Sequence, residues 1–138
     1  MGFADTANRK ERSMGYRTYF NLEVSREATI EGEIFLRDLE SDEATKIISQ
    51  LRDECEDAQY VLAGDGSSAM DSSWDDHDKH LMEFSKKFLD IVFTLHGVGD
   101  GEDDRWVYFY KNGQVCGGYA EIKFPEYDPK KLSAEVDS

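Results

Sequence analysis

A short run of histidine and aspartate residues near the middle of the chain has the spacing of a metal-binding helix. His77 and His80 are three residues apart and Asp76 and His80 are four apart, so each pair shares one face of a helix. Imidazole and carboxylate groups in such sets can bind zinc or another divalent metal. His77 also falls in an apolar stripe with Leu81 and Phe84, which is typical of a structural histidine. We therefore assign no metal site, and His77, His80 and Asp76 are the candidate ligands of the alternative interpretation.

Negative charge is concentrated in the middle third of the chain. Residues 53–104 carry fifteen Asp and Glu against three Lys, which accounts for −12 of the formal net charge of −14. Such a field repels nucleic acid and anionic membranes and attracts basic proteins. The candidate partner-binding residues are the carboxylates of three clusters, with one tryptophan as an aromatic anchor: Asp53, Glu54, Glu56, Asp57, Asp71, Asp75, Asp76, Asp78, Asp100, Glu102, Asp103, Asp104 and Trp106. We predict a basic nucleic-acid-binding protein as the partner, and no direct contact with nucleic acid or membrane.

No catalytic motif accompanies this charge. The loop at 97–104 is rich in glycine, but its carboxylates argue against phosphate binding, and the EF-hand spacing for calcium is absent. The serines at 67–73 fit no nucleophile motif, and nothing in the sequence brings Cys116 to His96. With so many acids, neighbouring carboxylates do not indicate acid–base catalysis. We predict a protein that is not an enzyme and needs no cofactor.

The two cysteines, Cys55 and Cys116, match no metal-binding spacing, and both lie in apolar patterns. This predicts buried free thiols in a reducing cytoplasm. No apolar run reaches the ~18 residues that a membrane helix needs, and the N-terminus lacks the apolar core of a signal peptide. We therefore predict a cytoplasmic protein.

Hydrophobic periodicity predicts the elements that position these residues. It indicates strands at 16–24, 59–63, 91–97, 105–111 and 114–124, and it leaves 33–37 undecided between a strand and a connection. One helix begins after the predicted N-cap Ser41, and a second spans 75–88. Asn112-Gly113 predicts a tight hairpin turn. Gly117-Gly118 predicts a bulge or a close approach of two backbones.

These elements indicate an α+β fold in which two helices pack on one face of a mainly antiparallel sheet of four to five strands. Residues 1–13 are expected to be a flexible extension, residues 14–124 a single domain and residues 125–138 a tail. The fourth predicted strand is rich in aromatic residues: Trp106, Tyr108 and Tyr110 share one face and Val107 and Phe109 the other. The sequence does not decide which face is exposed. Exposed aromatics could stack RNA bases, but the negative charge argues against this because phosphate neutralisation dominates such binding.

A family resemblance covers about a third of the chain. Its spacing is W-x₉-F-S-x₂-F-x₄-F-x-L-x-G-x-G-x₆-W-x₃-Y-x-N-G, formed by Trp74, Phe84-Ser85, Phe88, Phe93, Gly97, Gly99, Trp106 and Asn112-Gly113. This pattern resembles small phage and plasmid proteins with a ferredoxin-like, YubB-type domain. The resemblance implies a ferredoxin-like fold and a mobile-element origin, but no catalytic residue. This chain departs from the pattern at Leu89, where such proteins often have proline, and its first fifty residues do not align.

Charge and resemblance together favour a non-catalytic inhibitor of a host defence system, of the anti-CRISPR or anti-restriction kind. Its carboxylates would occupy a basic groove in place of DNA phosphates. An immunity protein that covers a basic nuclease toxin would carry the same charge. Two other classes stay open, which are a metal-dependent enzyme that uses His77 and His80 and an interaction module whose charge serves only solubility.

Overall fold

The computed structural model describes residues 18–69, 72–99, 104–121 and 123–134. These residues form five strands and three helices, followed by a short 3₁₀ helix at Pro129–Lys131. In chain order the elements are β1 (Tyr19–Ile30), β2 (Glu33–Asp38), α1 (Ser41–Glu54), α2 (Glu56–Val61), α3 (His77–Ser85), β3 (Ile91–Val98), β4 (Arg105–Lys111) and β5 (Gln114–Tyr119). The undecided segment at 33–37 is therefore a strand.

The five strands form one sheet in the order β2-β1-β3-β4-β5, and every neighbouring pair is antiparallel. The turn between β4 and β5 is the predicted Asn112-Gly113 hairpin, with φ of 48° and 77°. A second turn of the same kind joins β1 to β2 at Glu31-Gly32, with φ of 52° and 83°. The sequence gives no signal for that turn, because glutamate is an uncommon residue at a positive φ.

One face of the sheet supplies the strand residues of the core. Because side chains alternate along a strand, the register places Phe20, Leu22 and Val24 of β1 on the same face as their partners in β3 and β4. Helix α1 contributes its buried stripe Ile47, Ile48 and Leu51 to the same cluster, and α3 contributes Leu81 and Phe84. We call this side of the sheet the core face.

The predicted strand at 59–63 is wrong, because most of this segment belongs to helix α2. Ala58, Val61 and Leu62 are fully or almost fully buried, and their spacing of three and four residues is helical. The apolar run is short, and a run of this length does not distinguish a strand from a buried helix. The two helices at 41–54 and 56–61 are separated at Cys55, whose backbone is extended.

The ends of several elements differ from the sequence predictions. Ser41 is the first residue of α1 and not its N-cap; Glu40 occupies that position without a side-chain hydrogen bond. Helix α3 is shorter than predicted at both ends, and β5 ends at Tyr119. No bulge interrupts β5. Instead, the Gly117 backbone lies so close to β4 that a Cβ would come within 2.1 Å of the Val107 carbonyl oxygen.

The α+β class and the mainly antiparallel sheet are thus as predicted. The ferredoxin-like topology is not confirmed, because two of the described strands precede these helices and no described strand separates α1 from α3. Within the described ranges, no helix has the length and apolar character required to cross a membrane.

Candidate functional site

The predicted acidic cluster at 53–57 lies at the break between α1 and α2. Cys55 has φ of −129° and ψ of 110°, so it ends α1 and begins α2 at the same residue. Glu56 and Asp57 lie in the first turn of α2, where the helix dipole stabilises negative charge. Asp53 lies in the last turn of α1, where the dipole opposes it. All four carboxylates of this cluster belong to exposed residues.

The structure brings the start of α3 to this break. The His80 Nδ1 atom lies 3.4 Å from the Cys55 sulfur and 3.9 Å from an Asp57 carboxylate oxygen. The His80 amide donates to the Asp76 carbonyl, which places Asp75 and Asp76 about one helical turn before His80. We call the exposed carboxylates Asp53, Glu56, Asp57, Asp75 and Asp76 the acidic junction.

Most of the acidic junction is not neutralised by bases. In the part of the chain that the structure describes, no lysine or arginine pairs with the carboxylates of Asp53, Glu56, Asp75 or Asp76. Glu54 differs, because Lys87 forms an ion pair with it, and this hydrogen bond holds the pKa of Glu54 below its usual value. Glu54 therefore contributes less negative field than its neighbours.

Trp74 orients His80. Its indole Nε1 donates to His80 Nδ1 at 2.9 Å, so Nδ1 is an acceptor and a neutral ring carries its proton on Nε2. Trp74 is itself buried and packs edge to face against Phe20, with the ring centroids 5.9 Å apart. His80 is thus fixed by core packing, and the Cys55 thiol lies beside the nitrogen that already accepts a hydrogen bond.

His77 belongs to the core rather than to a metal site. Its Nδ1 lies 2.9 Å from the Tyr110 hydroxyl and 3.2 Å from the Asp78 carboxylate. The Tyr110 hydroxyl donates to Asp78 at 2.5 Å, so His77 Nδ1 must be the donor in its contact with that hydroxyl. Burial, and then the hydrogen bond to Asp78, raise the pKa of Tyr110 well above its usual value.

The candidate ligands His77, His80 and Asp76 do not form a metal centre. Among the described residues, no group of three or more His, Cys, Asp or Glu is close enough to bind a metal ion. The two imidazoles use their Nδ1 atoms for different partners, Tyr110 and Trp74. Helical spacing was the only signal for the site, and the same spacing places both rings against the core.

Two predicted partner-binding residues are buried, which corrects the sequence analysis. Trp106 is 8% exposed and Asp104 is 6% exposed. The Trp106 ring lies against Gly97, where a Cβ would come within 2.1 Å of the indole. Its ring centroid lies 5.8 Å from that of Phe20. Trp106 therefore cannot be a surface anchor. Asp78 is exposed, but its carboxylate accepts a hydrogen bond from the Tyr110 hydroxyl. The other candidates lie outside the described residues, namely Asp71, Asp100, Glu102 and Asp103.

The cysteines also differ from the prediction of two buried thiols. Both are free, but Cys116 is exposed on β5 and Cys55 is half-buried. Cys116 and His96 lie on strands that β4 separates, and His96 instead contacts Glu23 at 3.1 Å. The pair that the fold does create is Cys55 with His80, which the sequence analysis missed because the residues are 25 positions apart. Burial raises the pKa of Cys55, so its thiol is not activated as a nucleophile.

Comparison with protein-family models, with curated proteins and with solved structures gives no match to this chain. The resemblance of residues 74–113 to small phage and plasmid proteins therefore stays a prediction.

Proposed function

We propose that this chain is a non-catalytic acidic binding protein that inhibits a nucleic-acid-binding enzyme of a host defence system. Its carboxylates would occupy the enzyme's basic groove in place of DNA phosphates, in the cytoplasm of the host cell. The observation that supports this most strongly is the acidic junction, where two separate parts of the chain present exposed carboxylates, and among the described residues no lysine or arginine pairs with Asp53, Glu56, Asp75 or Asp76. The mobile-element origin and the ferredoxin-like classification rest only on the resemblance at 74–113.

The position of the charges supports a binding role over local stabilisation for part of the junction. The helix dipole accounts for Glu56 and Asp57, because both lie in the first turn of α2. It does not account for Asp53, whose negative charge in the last turn of α1 destabilises that helix by about 0.3 kcal/mol. Grouping unpaired carboxylates raises the local field and steers a basic partner to this surface.

An aromatic anchor for the partner is available beside the junction, although Trp106 is buried. Tyr60 lies in α2, one turn after Glu56, and is 64% exposed. Exposed tyrosine is enriched at protein interfaces because it buries a large area and keeps a polar tip. In this proposal Tyr60 takes the anchoring role that the sequence analysis gave to Trp106.

Affinity capture from a host lysate tests the proposal. The immobilised chain should retain a basic nucleic-acid-binding protein at low salt and release it as the salt concentration rises. The double substitution Asp53→Lys/Glu56→Lys should abolish retention. The matched control is Glu121→Lys/Glu126→Lys, which changes the net charge equally at exposed positions outside the junction and should retain the same protein.

The identity of the retained protein separates the two related functions. A restriction or CRISPR enzyme supports the defence inhibitor, and a toxin nuclease supports an immunity protein. If both double variants lose retention equally, only total charge matters and the acidic junction is not the binding surface. If no basic protein is retained at any salt concentration, the proposal is wrong.

A further inference from the structure

The β1–β2 hairpin extends beyond the rest of the sheet. Strand β3 pairs with β1 only as far as Arg26, which lies opposite Ile91. The following residues, Glu27–Ile30, pair only with β2, from Glu27 opposite Leu36 to Ile30 opposite Glu33. This part of the hairpin is a two-stranded ribbon, which we call the arm. A two-stranded ribbon is marginally stable in water unless something covers it.

The arm exposes apolar side chains on both of its faces. Ile30, Ile34, Phe35 and Leu36 are 54%, 67%, 46% and 44% exposed. Ile34 and Leu36 point to one face and Phe35 to the other, because side chains alternate along a strand. A molecule docked on a single face would leave the opposite side chains in water. A strand paired with β2 adds neighbouring side chains beside these residues on both faces at once.

Strand β2 also forms an edge of the sheet. It is the first strand in the order β2-β1-β3-β4-β5, and no other described strand pairs with its outer side. It contains no proline, and its exposed side chains are apolar over three successive positions. Natural edge strands are normally protected by charge, proline or a covering element. This edge lacks that protection at its centre.

We propose that β2 pairs with β2 of a second copy of this chain, forming a symmetric antiparallel dimer. A two-fold axis perpendicular to the sheet places the same face of both copies on the same side of the joined sheet. Residues that lie opposite each other across the dimer must therefore point to the same face. With the axis at Phe35, the register places Phe35 opposite Phe35, Ile34 opposite Leu36, and Glu33 opposite Arg37. Each residue from Glu33 to Arg37 then faces a complementary residue, and the ion pair occurs twice.

The neighbouring registers lack this complementarity. An axis at Ile34 places Glu33 opposite Phe35, and an axis at Leu36 places Phe35 opposite Arg37 and Ile34 opposite Asp38. Each of these puts a charge against an apolar side chain. Glu33 and Arg37 are both exposed, and neither side chain forms an ion pair or hydrogen bond with another described residue of its own chain. Both side chains are thus available for the second copy.

The dimer would join two five-stranded sheets into one continuous sheet. It extends the binding proposal without depending on it, because the arm residues belong to neither the acidic junction nor its anchor. The salt dependence also differs. Two chains of net charge −14 repel each other over a distance that salt shortens, so dimerisation should strengthen between low and physiological salt. Binding of a basic partner should weaken over the same range.

Sedimentation analysis of the full chain tests the dimer, because association through this edge must follow mass action. The wild-type chain should change from monomer to dimer between about 1 µM and about 500 µM. Glu33→Arg places Arg opposite Arg37, and Arg37→Glu places Glu opposite Glu33, so each single variant should be monomeric over this range. Glu31→Arg is the matched control, because Glu31 lies in the turn outside the paired register. It should dimerise like the wild type.

Mixing the two monomeric variants gives the decisive result. The Glu33→Arg chain carries Arg at positions 33 and 37, and the Arg37→Glu chain carries Glu at both. Each Arg of one chain therefore lies opposite a Glu of the other, so a heterodimer should form. The double variant Glu33→Arg/Arg37→Glu should dimerise by itself for the same reason. A wild-type chain that stays monomeric, single variants that stay dimeric, or a mixture that stays monomeric would each overturn the proposal. Circular dichroism of every variant confirms that the fold is retained.

Discussion

His77 lies flat against Trp106, with ring centroids 4.9 Å apart and ring planes 15° apart. From the sequence alone, His77 is a candidate metal ligand and Trp106 a candidate partner-binding anchor. Their stacking shows that both belong to one packed aromatic group, which also includes Phe20 and Tyr108. At this point of the fold, two residues whose types could do chemistry therefore pack in one aromatic group.

The close contact between Gly97 and Trp106 should make Gly97 intolerant of a side chain. Gly97→Ala should destabilise the fold by about 1–3 kcal/mol, because the new Cβ overlaps the buried indole and forces it to move. Gly118→Ala is the control, since a Cβ there meets no atom within 4 Å, and it should change stability by less than about 0.5 kcal/mol. Urea denaturation measures both. Equal stability of the two variants would contradict the packing at Gly97.

The buried Tyr110 hydroxyl should control stability at alkaline pH. Its folded pKa is raised by burial and by Asp78, so its contribution to stability is complete below the unfolded pKa of about 10 and is lost as pH rises above that value. Tyr110→Phe should remove part of this alkaline loss. It should also cost about 1–2 kcal/mol at neutral pH, because His77 and Asp78 lose a hydrogen-bond partner.

Thermal unfolding between pH 7 and pH 11 measures this effect. Tyr60→Phe is the control, because Tyr60 is exposed on α2 and its removal should leave the alkaline profile unchanged. If the melting temperatures of Tyr110→Phe and the wild-type chain fall equally with pH above pH 10, the pKa of Tyr110 is not raised in the folded chain.

Arg26 connects β1 to two carboxylates and should determine part of the acid sensitivity. Its guanidinium contacts Glu43 at 2.6 Å and Asp90 at 2.9 Å, and these hydrogen bonds lower the pKa of both carboxyls. Their contribution is present above the unfolded pKa values of about 4 and is lost as pH falls through the lower folded values. Arg26→Met should lower the melting temperature at pH 7 and flatten its fall between pH 5 and pH 2.

Lys46→Met is the control for that experiment. Lys46 is exposed in α1, and its substitution also removes one positive charge. It should keep the steep acid profile of the wild-type chain. A steep profile in Arg26→Met as well would show that other carboxylates control acid unfolding.

The two cysteines should react at very different rates. Cys116 is exposed on β5, whereas Cys55 is half-buried beside His80 and burial raises its pKa. Because the thiolate is the reactive form, a disulfide reagent at pH 8 should modify Cys116 at least about tenfold faster than Cys55. Cys116→Ser should remove the fast phase and leave the slow one. A fast phase that persists in Cys116→Ser would mean that His80 activates Cys55.

Local sequence signals predicted the parts of this fold that depend on neighbouring residues. Asn112-Gly113 predicted its hairpin, because few other residues adopt the required positive φ. Local hydrophobic patterns predicted β4 with its observed bounds and β3 to within one residue of its end. The run at 59–63 is predicted as a strand because its helical contacts, through Ala58 and Leu62, become apparent only when α1 packs beside it.

Contacts between distant segments account for what the sequence could not predict about the site. The proximity of His80 to Asp57 joins two acidic clusters, and it depends on how α3 packs and not on any spacing along the chain. The burial of Trp106 depends on Gly97, a residue on the neighbouring strand. The distribution of charge, by contrast, is a property of the sequence itself, and the exposed carboxylates of the acidic junction follow from it.

Competition with DNA is the most direct test of whether the acidic junction mimics phosphates. A captured partner is loaded with a fluorescent DNA duplex, and this chain is added at rising concentration while the anisotropy is followed. We expect the wild-type chain and Glu121→Lys/Glu126→Lys to release the DNA completely, and Asp53→Lys/Glu56→Lys to leave it bound. A partner that binds this chain while keeping its DNA would contradict phosphate mimicry by the acidic junction.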